Sequence, residues 1–293
     1  MPTRTQRPTA TPRGDLIDIG GRRLRLVRAG ARGKRPTILL ESGAFGCAAD
    51  WGVVQARLAA RGLYSLAYDR AGLGLSDPGA RPRDGAAITA DLRALLSEAG
   101  ELGPYVLVGH SMGGLFVRLF ALDRPEQVTG VVLVDAVTPE ITDDPAMGRA
   151  VEGFRRAMGL VGASCGVGYM RPLSLVMGDR IGLPGAISTE KARIWGSRGH
   201  TRWSVEEVQS WHASALQARA AGEFAADLPV AVVTAGAARL TPRLKAVQSA
   251  PALSSVHGYV DHVVGSNHAN LLGLKFADPI VRGVEHVLAV AAR

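Results

Sequence analysis

Five short apolar stretches recur along the chain, and they constrain its fold more than any other feature. They read TILLE (37–41), LYSLAYD (63–69), YVLV (105–108), VVLVD (131–135) and VAVVT (230–234), and each ends near glycine or a polar residue. Continuous apolar runs, unlike alternating ones, are typical of parallel strands buried on both faces. Helical patterns lie between them, over 51–61, 86–99 and 112–123. This alternation predicts an α/β fold, with a mostly parallel central sheet and helices on both faces.

Two further segments precede the first of these runs. Asp15 to Ile19 and Arg23 to Arg28 alternate in part between apolar and polar residues and are joined across Gly20-Gly21. This pattern predicts a β-hairpin at the beginning of the sheet.

The longest interval between predicted strands separates VVLVD from VAVVT. Residues 137–228 are far more than one crossover needs, and they contain three of the four tryptophans, at Trp195, Trp203 and Trp211. We expect these residues to form a helical cap with an apolar underside, inserted after the sixth strand. The core of the fold would then consist of residues 15–136 and 229–293.

The positive charge is concentrated at the beginning of the sequence. Residues 1–35 hold ten Lys or Arg against two Asp, whereas the remainder holds 24 of each sign, so the formal net charge of +8 belongs to this segment. Nucleic-acid binding would need basic residues spread over a folded face with aromatic residues between them, and the sequence shows no such pattern. Residues 1–14 are rich in Pro, Thr and Arg, and we expect a disordered basic tail there.

The sequence shows neither a targeting signal nor a metal-binding pattern. No apolar segment follows the early arginines, and no run approaches the roughly 18 apolar residues of a membrane span. We therefore expect a cytoplasmic protein with no membrane span. The two cysteines, Cys47 and Cys165, are too few for a disulfide framework and lack the spacing of a metal site. We expect them to be reduced thiols, with Cys47 close to the active site.

The segment VLVGHSMGG, residues 106–114, carries the strongest chemical signal. Two of its glycines, Gly109 and Gly113, flank Ser111 between a predicted strand and a predicted helix. This is the setting of a nucleophile elbow, in which the serine occupies a strained turn at the carboxyl end of a strand. A helix that begins at the serine adds positive potential where negative charge develops. Ser111 is therefore the predicted nucleophile.

Several motifs, in this order, resemble the α/β-hydrolase superfamily, and specifically its cap-bearing, esterase-like serine hydrolases. They are LLESGAFG (39–46), YDRAGLGLSDPG (68–79), VLVGHSMGG (106–114), VVLVDA (131–136) and VVGSNHANLL (263–272). The resemblance implies the α/β-hydrolase fold and a Ser-His-Asp mechanism. Haloalkane dehalogenases and epoxide hydrolases of this fold carry aspartate at the elbow, whereas Ser111 implies attack on a carbonyl and an acyl-enzyme.

The resemblance places the catalytic base after the last strand, in a loop that returns to the elbow. His268, in GSNHANLL, is the only histidine that follows that strand in a short polar loop ahead of a helix, and we predict it as the base. The alternatives are a structural role for His268 or another histidine as the base. Those histidines adjoin the serine, or lie in the cap, near the last strand or in the terminal helix: His110, His200, His212, His257, His262 and His286.

The position of the acid departs from the commonest family pattern. Many relatives carry it after the strand that follows the cap, but that loop here reads VVTAGAARLTPR and contains no carboxylate. Some relatives place it at the end of the preceding strand, which here is Asp135. A carboxylate that ends an apolar strand needs a partner, so we predict Asp135 as the acid. The alternatives are Asp261 as the acid, or a capping role for Asp135.

An oxyanion hole needs two backbone N–H groups directed at one oxygen. The resemblance assigns one to Met112, immediately after the nucleophile. The other falls in the loop Glu41 to Gly46, where Ala44 is the predicted donor and Phe45 the alternative. Asp69 and Arg70, in YDRAGLG, are expected to fix the turn that follows their strand.

Together these residues predict a serine hydrolase that cleaves carboxylic esters or similar acyl compounds without a cofactor or metal. The partner would be a small-molecule acyl substrate, with an apolar character suggested by the Met and Trp content of the cap. The same triad also serves C–C-bond hydrolases, lactonases and perhydrolases, which remain alternatives. A non-catalytic ligand receptor on this fold is the alternative from a different class.

Overall fold

The predicted alternation of strands and helices is confirmed in the computed structural model, which describes residues 13–143, 145–164, 180–236 and 242–292. The strands are β1 (Asp15–Asp18), β2 (Arg23–Ala29), β3 (Thr37–Glu41), β4 (Ser65–Tyr68), β5 (Tyr105–His110), β6 (Val128–Val134), β7 (Val230–Ala235) and β8 (Tyr259–Val263). The helices in the described part of the chain are α1 (Gly52–Ala60), α2 (Gly85–Glu98), α3 (Gly113–Asp123), α4 (Pro145–Ser164), α5 (Gly185–Trp195), α6 (Arg198–Gln209), α7 (Trp211–Ala220), α8 (Pro242–Leu253) and α9 (Asp278–Ala291). None of these helices is long and apolar enough to cross a membrane.

The strands form one eight-stranded sheet in the order β1-β2-β4-β3-β5-β6-β7-β8. β1 pairs antiparallel with β2, as the predicted hairpin requires, and β2 pairs antiparallel with β4. From β4 to β8 every neighbouring pair is parallel, so the mostly parallel sheet is confirmed. β6 begins at Val128, earlier than its apolar run predicts, because Val128 already pairs with Tyr105 of β5.

The central strands are buried on both faces, which explains their continuous apolar sequences. In β5, Val106 and Val108 join the apolar cluster that contains α1 and α9, whereas Tyr105 and Leu107 join the cluster on the opposite face with α2 and α3. All four side chains are at most 2% exposed. Burying a side chain of this size stabilises the fold by about 1.5–3 kcal/mol, so these strands anchor the sheet and fix where its carboxyl ends lie.

Residues 137–228, which we call the insertion, connect β6 to β7 through the helices α4 to α7. Trp211 of α7 is 8% exposed and packs in one cluster with Leu115 and Phe116 of α3. Trp203 of α6 covers Gly72 in the turn after β4 so closely that a Cβ on Gly72 would lie 2.2 Å from the ring. Both tryptophans therefore pack against the sheet domain. Cys165 lies outside the described residues.

The first residues of the described chain contact the fold. The predicted tail over residues 1–14 lies outside the described part as far as residue 12, but Arg13 and Gly14 are packed. Arg13 Nε donates to Glu190 Oε2 at 3.1 Å, and the Arg13 carbonyl accepts from Arg25 Nε at 2.7 Å. Gly14 has a positive φ of 85° and lies against β2, where a Cβ would be 2.4 Å from the Leu26 carbonyl oxygen.

Candidate active site

Ser111 occupies a left-handed turn between the end of β5 and the beginning of α3. Its φ is +53°, a conformation that costs an L-amino acid about 1–2 kcal/mol. Backbone bonds hold the turn: the Ser111 N–H donates to the Val134 carbonyl at 3.1 Å, and its carbonyl accepts from Gly114 at 3.0 Å and Val137 at 2.8 Å. The surrounding backbone therefore stabilises the strained conformation.

Two glycines let neighbouring backbone approach the serine. A Cβ on Gly113 would lie 2.6 Å from the Glu41 carbonyl oxygen at the end of β3. A Cβ on Gly43 would lie 2.8 Å from the Ser111 Cβ. The elbow is therefore seated against the loop that follows β3, in which a second backbone donor was expected.

Asp135 and His268 form a direct hydrogen bond. His268 Nδ1 lies 2.6 Å from Asp135 Oδ2, although the two residues are 133 positions apart in the chain. The other carboxylate oxygen, Oδ1, accepts from the Ala235 N–H at 3.1 Å and from Gln248 Nε2 at 3.4 Å. Asp135 is 5% exposed and has a positive φ of 41°, just after β6. The carboxylate is thus oriented by partners on both oxygens.

The loop that carries His268 is shaped by two asparagines. The Asn267 side chain accepts from the Ala269 and Asn270 N–H groups at 3.1 and 3.0 Å, and the Asn270 side chain accepts from the Asn267 N–H at 2.7 Å. Such reciprocal side-chain bonds are the usual way for asparagine to define a tight turn. The His268 side chain, held in this turn, is 54% exposed.

The electrostatics of the pair favour a charged carboxylate. Burial by itself would raise the pKa of Asp135, but the hydrogen bond and charge of His268 outweigh burial and leave the pKa below its usual value. An ionised carboxylate only accepts hydrogen bonds, so His268 Nδ1 carries the proton. In the neutral imidazole, Nε2 is therefore the basic nitrogen.

His110, which precedes Ser111 in the elbow, packs against His268. Its ring centroid is 4.6 Å from that of His268, and its Nε2 is 3.0 Å from the His268 carbonyl oxygen. Burial, followed by the nearby His268, lowers the pKa of His110 to about 3, so its side chain is neutral and Nε2–H donates. Within the described chain, Ser111 Oγ forms no hydrogen bond with His268.

Ala44 and Met112, the predicted oxyanion donors, contribute to one apolar cluster. Met112 is fully buried at the beginning of α3, and Ala44 is partly buried in the loop after β3. Phe45, the alternative donor, has a positive φ of 57°. The structure thus brings the elbow, which carries Met112, against the loop that carries Ala44 and Phe45.

Asp69 fixes the turn after β4. Its carboxylate accepts from the Ala48 N–H at 2.7 Å and the Leu75 N–H at 2.9 Å, and it pairs with Arg25 at 3.2 Å. Arg70 has a wider role than expected, because its guanidinium reaches both the loop after β3 and Glu207 in the insertion. The role of Asp69 is the structural one predicted, whereas Arg70 connects separate parts of the molecule.

The alternative site residues have other partners. Asp261 pairs with Arg282 at 2.7 Å, and its side chain is 22% exposed. His262 Nδ1 contacts Thr234 Oγ1 at 2.5 Å, and His286 contacts the His257 carbonyl at 3.0 Å. These contacts involve neither Asp135 nor His268.

Sequence reasoning missed the roles of three residues around the site. Gln248 contacts Asp135, Glu207 of α6 binds Arg70, and His200 of α6 contacts the Phe45 carbonyl in the loop after β3. None belongs to a local motif, and each acts only through a partner far away in the chain. Their roles therefore carried no sequence signal.

Metal-ligating side chains are dispersed over the described parts of the chain. No three His, Cys, Asp or Glu residues there come together in an arrangement that would hold a metal ion. Cys47 is buried, and burial raises the pKa of its thiol well above the usual value. A buried thiol of this kind is a poor nucleophile.

Comparison with known families identifies the fold of this region. Residues 36–160 match a family model described as alpha/beta hydrolase fold. Among curated proteins, an uncharacterised vacuolar membrane protein of Saccharomyces cerevisiae is 36% identical over 116 residues, which are 37% of this chain and 17% of that protein. The chain spans only 17–31% of the length of the first three curated relatives.

Solved structures resemble the chain over almost its whole length. A thermophilic esterase from Thermogutta terrifontis superimposes with a TM-score of 0.71 and 17% identity, covering 97% of this chain and 100% of the esterase. An enol-lactonase from Burkholderia xenovorans gives a TM-score of 0.67 and 16% identity, covering 94% of this chain and 100% of the lactonase. At these identities the likeness establishes a shared fold.

Proposed function

We propose that this chain, which has the α/β-hydrolase fold, is a serine hydrolase that cleaves carboxylic esters or similar acyl compounds. Ser111 is the nucleophile, His268 the base and Asp135 the acid that orients His268. The proposal agrees with the hydrolase relatives of the family and requires no metal or cofactor in the reaction steps.

The observation that carries the proposal is the 2.6 Å bond between His268 Nδ1 and Asp135 Oδ2, beside a serine in the left-handed elbow conformation. The acid fixes the imidazole tautomer and stabilises the imidazolium that forms when the base takes a proton. The free Nε2 is then the proton acceptor. Hydrogen bonds between a nucleophile and its base commonly tighten only when substrate binds, so Ser111 and His268 meet during the reaction.

The reaction proceeds in two acyl transfers. Ser111 Oγ attacks the carbonyl carbon of the ester while its proton passes to His268 Nε2. The bond between the carbonyl carbon and the leaving oxygen then breaks, and the leaving alcohol takes the proton from His268. Water attacks the acyl-enzyme, again giving a proton to His268, and the carboxylic acid leaves as Ser111 regains its proton.

The nucleophile also favours acyl chemistry over the opening of epoxides. Attack by a serine oxygen on an alkyl carbon would give an ether, which water does not readily cleave. Attack on a carbonyl carbon gives an ester, which the same site can hydrolyse. Ser111 therefore directs the proposal toward esters and related acyl compounds.

Two backbone amides, of Met112 and Ala44, would stabilise the negative charge on the tetrahedral intermediate. Met112 immediately precedes α3 as its N-cap, so its N–H lies at the positive end of the helix. Ala44 lies in the loop that contacts the elbow through Gly43. Each donor of this kind is worth about 10²–10³ in kcat.

The insertion would act as a cap that shapes the substrate site over a core of residues 15–136 and 229–293. Phe45 and Trp195 lie 6.2 Å apart where the loop after β3 meets α5, which supports a small apolar acyl substrate. The cytoplasmic location and the absence of a nucleic-acid partner remain predictions from the sequence. Cell fractionation tests the first of these.

The decisive experiment measures hydrolysis of p-nitrophenyl acetate and p-nitrophenyl butyrate by the wild type, Ser111→Ala and Ser97→Ala. Ser97 is an exposed serine on α2, so its substitution controls for the loss of a hydroxyl. We expect turnover that is lost in Ser111→Ala and retained in Ser97→Ala, with butyrate faster than acetate. A fluorophosphonate should label the wild type at Ser111.

Equal rates for the wild type and Ser111→Ala would refute the proposal. Binding of esters without turnover or fluorophosphonate labelling would instead support the receptor alternative.

A further inference from the structure

Arg70 is the centre of a buried network that reaches three parts of the molecule. It lies immediately after the turn residue Asp69, and its side chain is 2% exposed. Its Nη1 donates to the Ser42 carbonyl at 2.6 Å and its Nη2 to the Gly43 carbonyl at 2.8 Å. Its Nη1 also reaches Glu41 Oε1 at 2.5 Å. The guanidinium thus holds the loop after β3 by two consecutive carbonyls.

The insertion fixes this guanidinium from the other side. Glu207 of α6 accepts from Arg70 Nε at 2.9 Å and from Nη2 at 2.7 Å, and its side chain is fully buried. A two-bond pair between arginine and a carboxylate fixes the plane of the guanidinium as well as its position. The orientation of Arg70 is therefore set by a residue of the insertion.

His200 of the same helix holds the next part of the loop. Its Nδ1 accepts from the Gly74 N–H at 3.1 Å, so Nε2 carries the proton and donates to the Phe45 carbonyl at 3.2 Å. His200 and Glu207 are seven residues apart, which places them on one face of α6. One face of this helix thus contacts the Phe45 carbonyl directly through His200 and the Gly43 carbonyl indirectly through Arg70, on either side of Ala44.

Because the peptide group is planar, the contact between Arg70 and the Gly43 carbonyl also orients the proposed donor, the Ala44 N–H. The Gly43 carbonyl and the Ala44 N–H belong to one planar trans peptide, so they point in opposite directions. When Arg70 holds the Gly43 carbonyl, it also fixes the direction of the Ala44 N–H. A tilt of this peptide would move the amide away from the oxyanion without removing it.

We propose that α6 aligns the oxyanion hole, with Glu207 and Arg70 as positioning residues that aim the Ala44 amide. The inference rests on the proposed serine-hydrolase function and on Ala44 as the donor. The insertion then affects the rate of the chemical step as well as the choice of substrate.

The test compares Glu207→Gln with Glu206→Gln in the full chain. Glu206 is the neighbouring residue on α6, and its partner Arg81 is 49% exposed, so the control removes the same charge from a surface pair. The assay gives kcat and KM for p-nitrophenyl butyrate and the Ki of an alkyl boronic acid. The boronic acid forms a tetrahedral adduct with the serine and places an oxygen in the oxyanion hole.

We expect Glu207→Gln to lower kcat by about 10–100-fold, with little change in KM, because part of one oxyanion contact is lost. The Ki of the boronic acid should rise by a similar factor. A role confined to stability would lower the melting temperature but leave kcat of the folded enzyme and this Ki unchanged. A kcat equal to that of Glu206→Gln would overturn the inference.

An unfolded Glu207→Gln variant would require a second variant. If circular dichroism shows that Glu207→Gln is unfolded, Glu207→Asp decides, since it keeps the buried charge pair but shortens the side chain. A kcat below the control by about threefold or more then supports the inference, and an equal kcat overturns it.

If Ser111→Ala is as active as the wild type, the proposed function fails and the inference fails with it. Ser111-dependent turnover with an unaffected Glu207 variant refutes the inference alone.

Discussion

Asp135→Asn probes the pairing on which the proposed mechanism depends. Asp135 Oδ1 accepts from the Ala235 N–H at 3.1 Å and from Gln248 at 3.4 Å, whereas Oδ2 faces His268 Nδ1 at 2.6 Å. Asparagine has one acceptor and one donor at these two positions. The donors on the Oδ1 side will retain the amide oxygen, so the amide NH₂ must face His268.

This orientation forces the wrong tautomer on the base. With a donor opposite it, His268 Nδ1 must present its lone pair, and the proton moves to Nε2. His268 then has no lone pair with which to take the proton of Ser111. Such an inversion costs about 10⁴ in kcat, or about 5.5 kcal/mol of transition-state stabilisation.

The assay is kcat for p-nitrophenyl butyrate, with circular dichroism to establish that the variant is folded. Asp261→Asn is the matched control, because Asp261 was the alternative acid and its carboxylate pairs with Arg282 at 2.7 Å. The control should remain within about twofold of the wild type, as expected for a surface substitution. A folded Asp135→Asn variant that loses less than about tenfold in kcat would refute the role of Asp135, since the tautomer argument requires far more.

Two further predictions concern stability. Ser111→Gly should be more stable than Ser111→Ala by about 1 kcal/mol, because both lose the hydroxyl but only glycine is relaxed at a φ of +53°; equal melting temperatures would contradict a strained elbow. Burial, followed by the charge of Lys191, lowers the pKa of His200 to about 3, whereas a histidine in the unfolded chain has a pKa of about 6.5. The unfolded state therefore binds more protons between these values, and stability should decrease as pH falls through this window. Replacing His200 with Gln should reduce the slope of unfolding free energy between about pH 4 and 5.5 by about 1.4 kcal/mol per pH unit, measured by urea denaturation; an unchanged slope, equal to that of the exposed-site control His212→Gln, would refute it.

Local patterns determined most of the fold. The apolar runs of β3, β5, β6 and β7 were recognisable because these strands are buried on both faces. Strand boundaries were predicted less accurately where hydrogen bonding to a neighbouring strand extended a strand beyond its apolar run, as at Val128. The elbow could also be predicted, because position 113 requires glycine: a Cβ there would meet the backbone at the end of β3.

The sequence reduced the number of candidate partners for the site residues, but it did not identify which candidates meet. Asp135 was the predicted acid among alternatives, and its proximity to His268 follows from the order of strands, in which β6, β7 and β8 are neighbours. That order brings the residue after β6 next to the loop after β8. The supporting contact from Gln248 has no counterpart in any sequence pattern.

The sequence by itself determined the succession of strands and helices along the chain and the position of the elbow. Apolar periodicity and glycine conformation act over only a few residues, so both can be recognised locally. The tertiary structure alone decided which charges meet. Arg70 is one of many arginines in the sequence, and only the packing of α6 against the sheet domain selects Glu207 as its partner, at 2.7 Å. Ionic partners of the same charge are chemically interchangeable until folding sets the distance between them and removes water from around them.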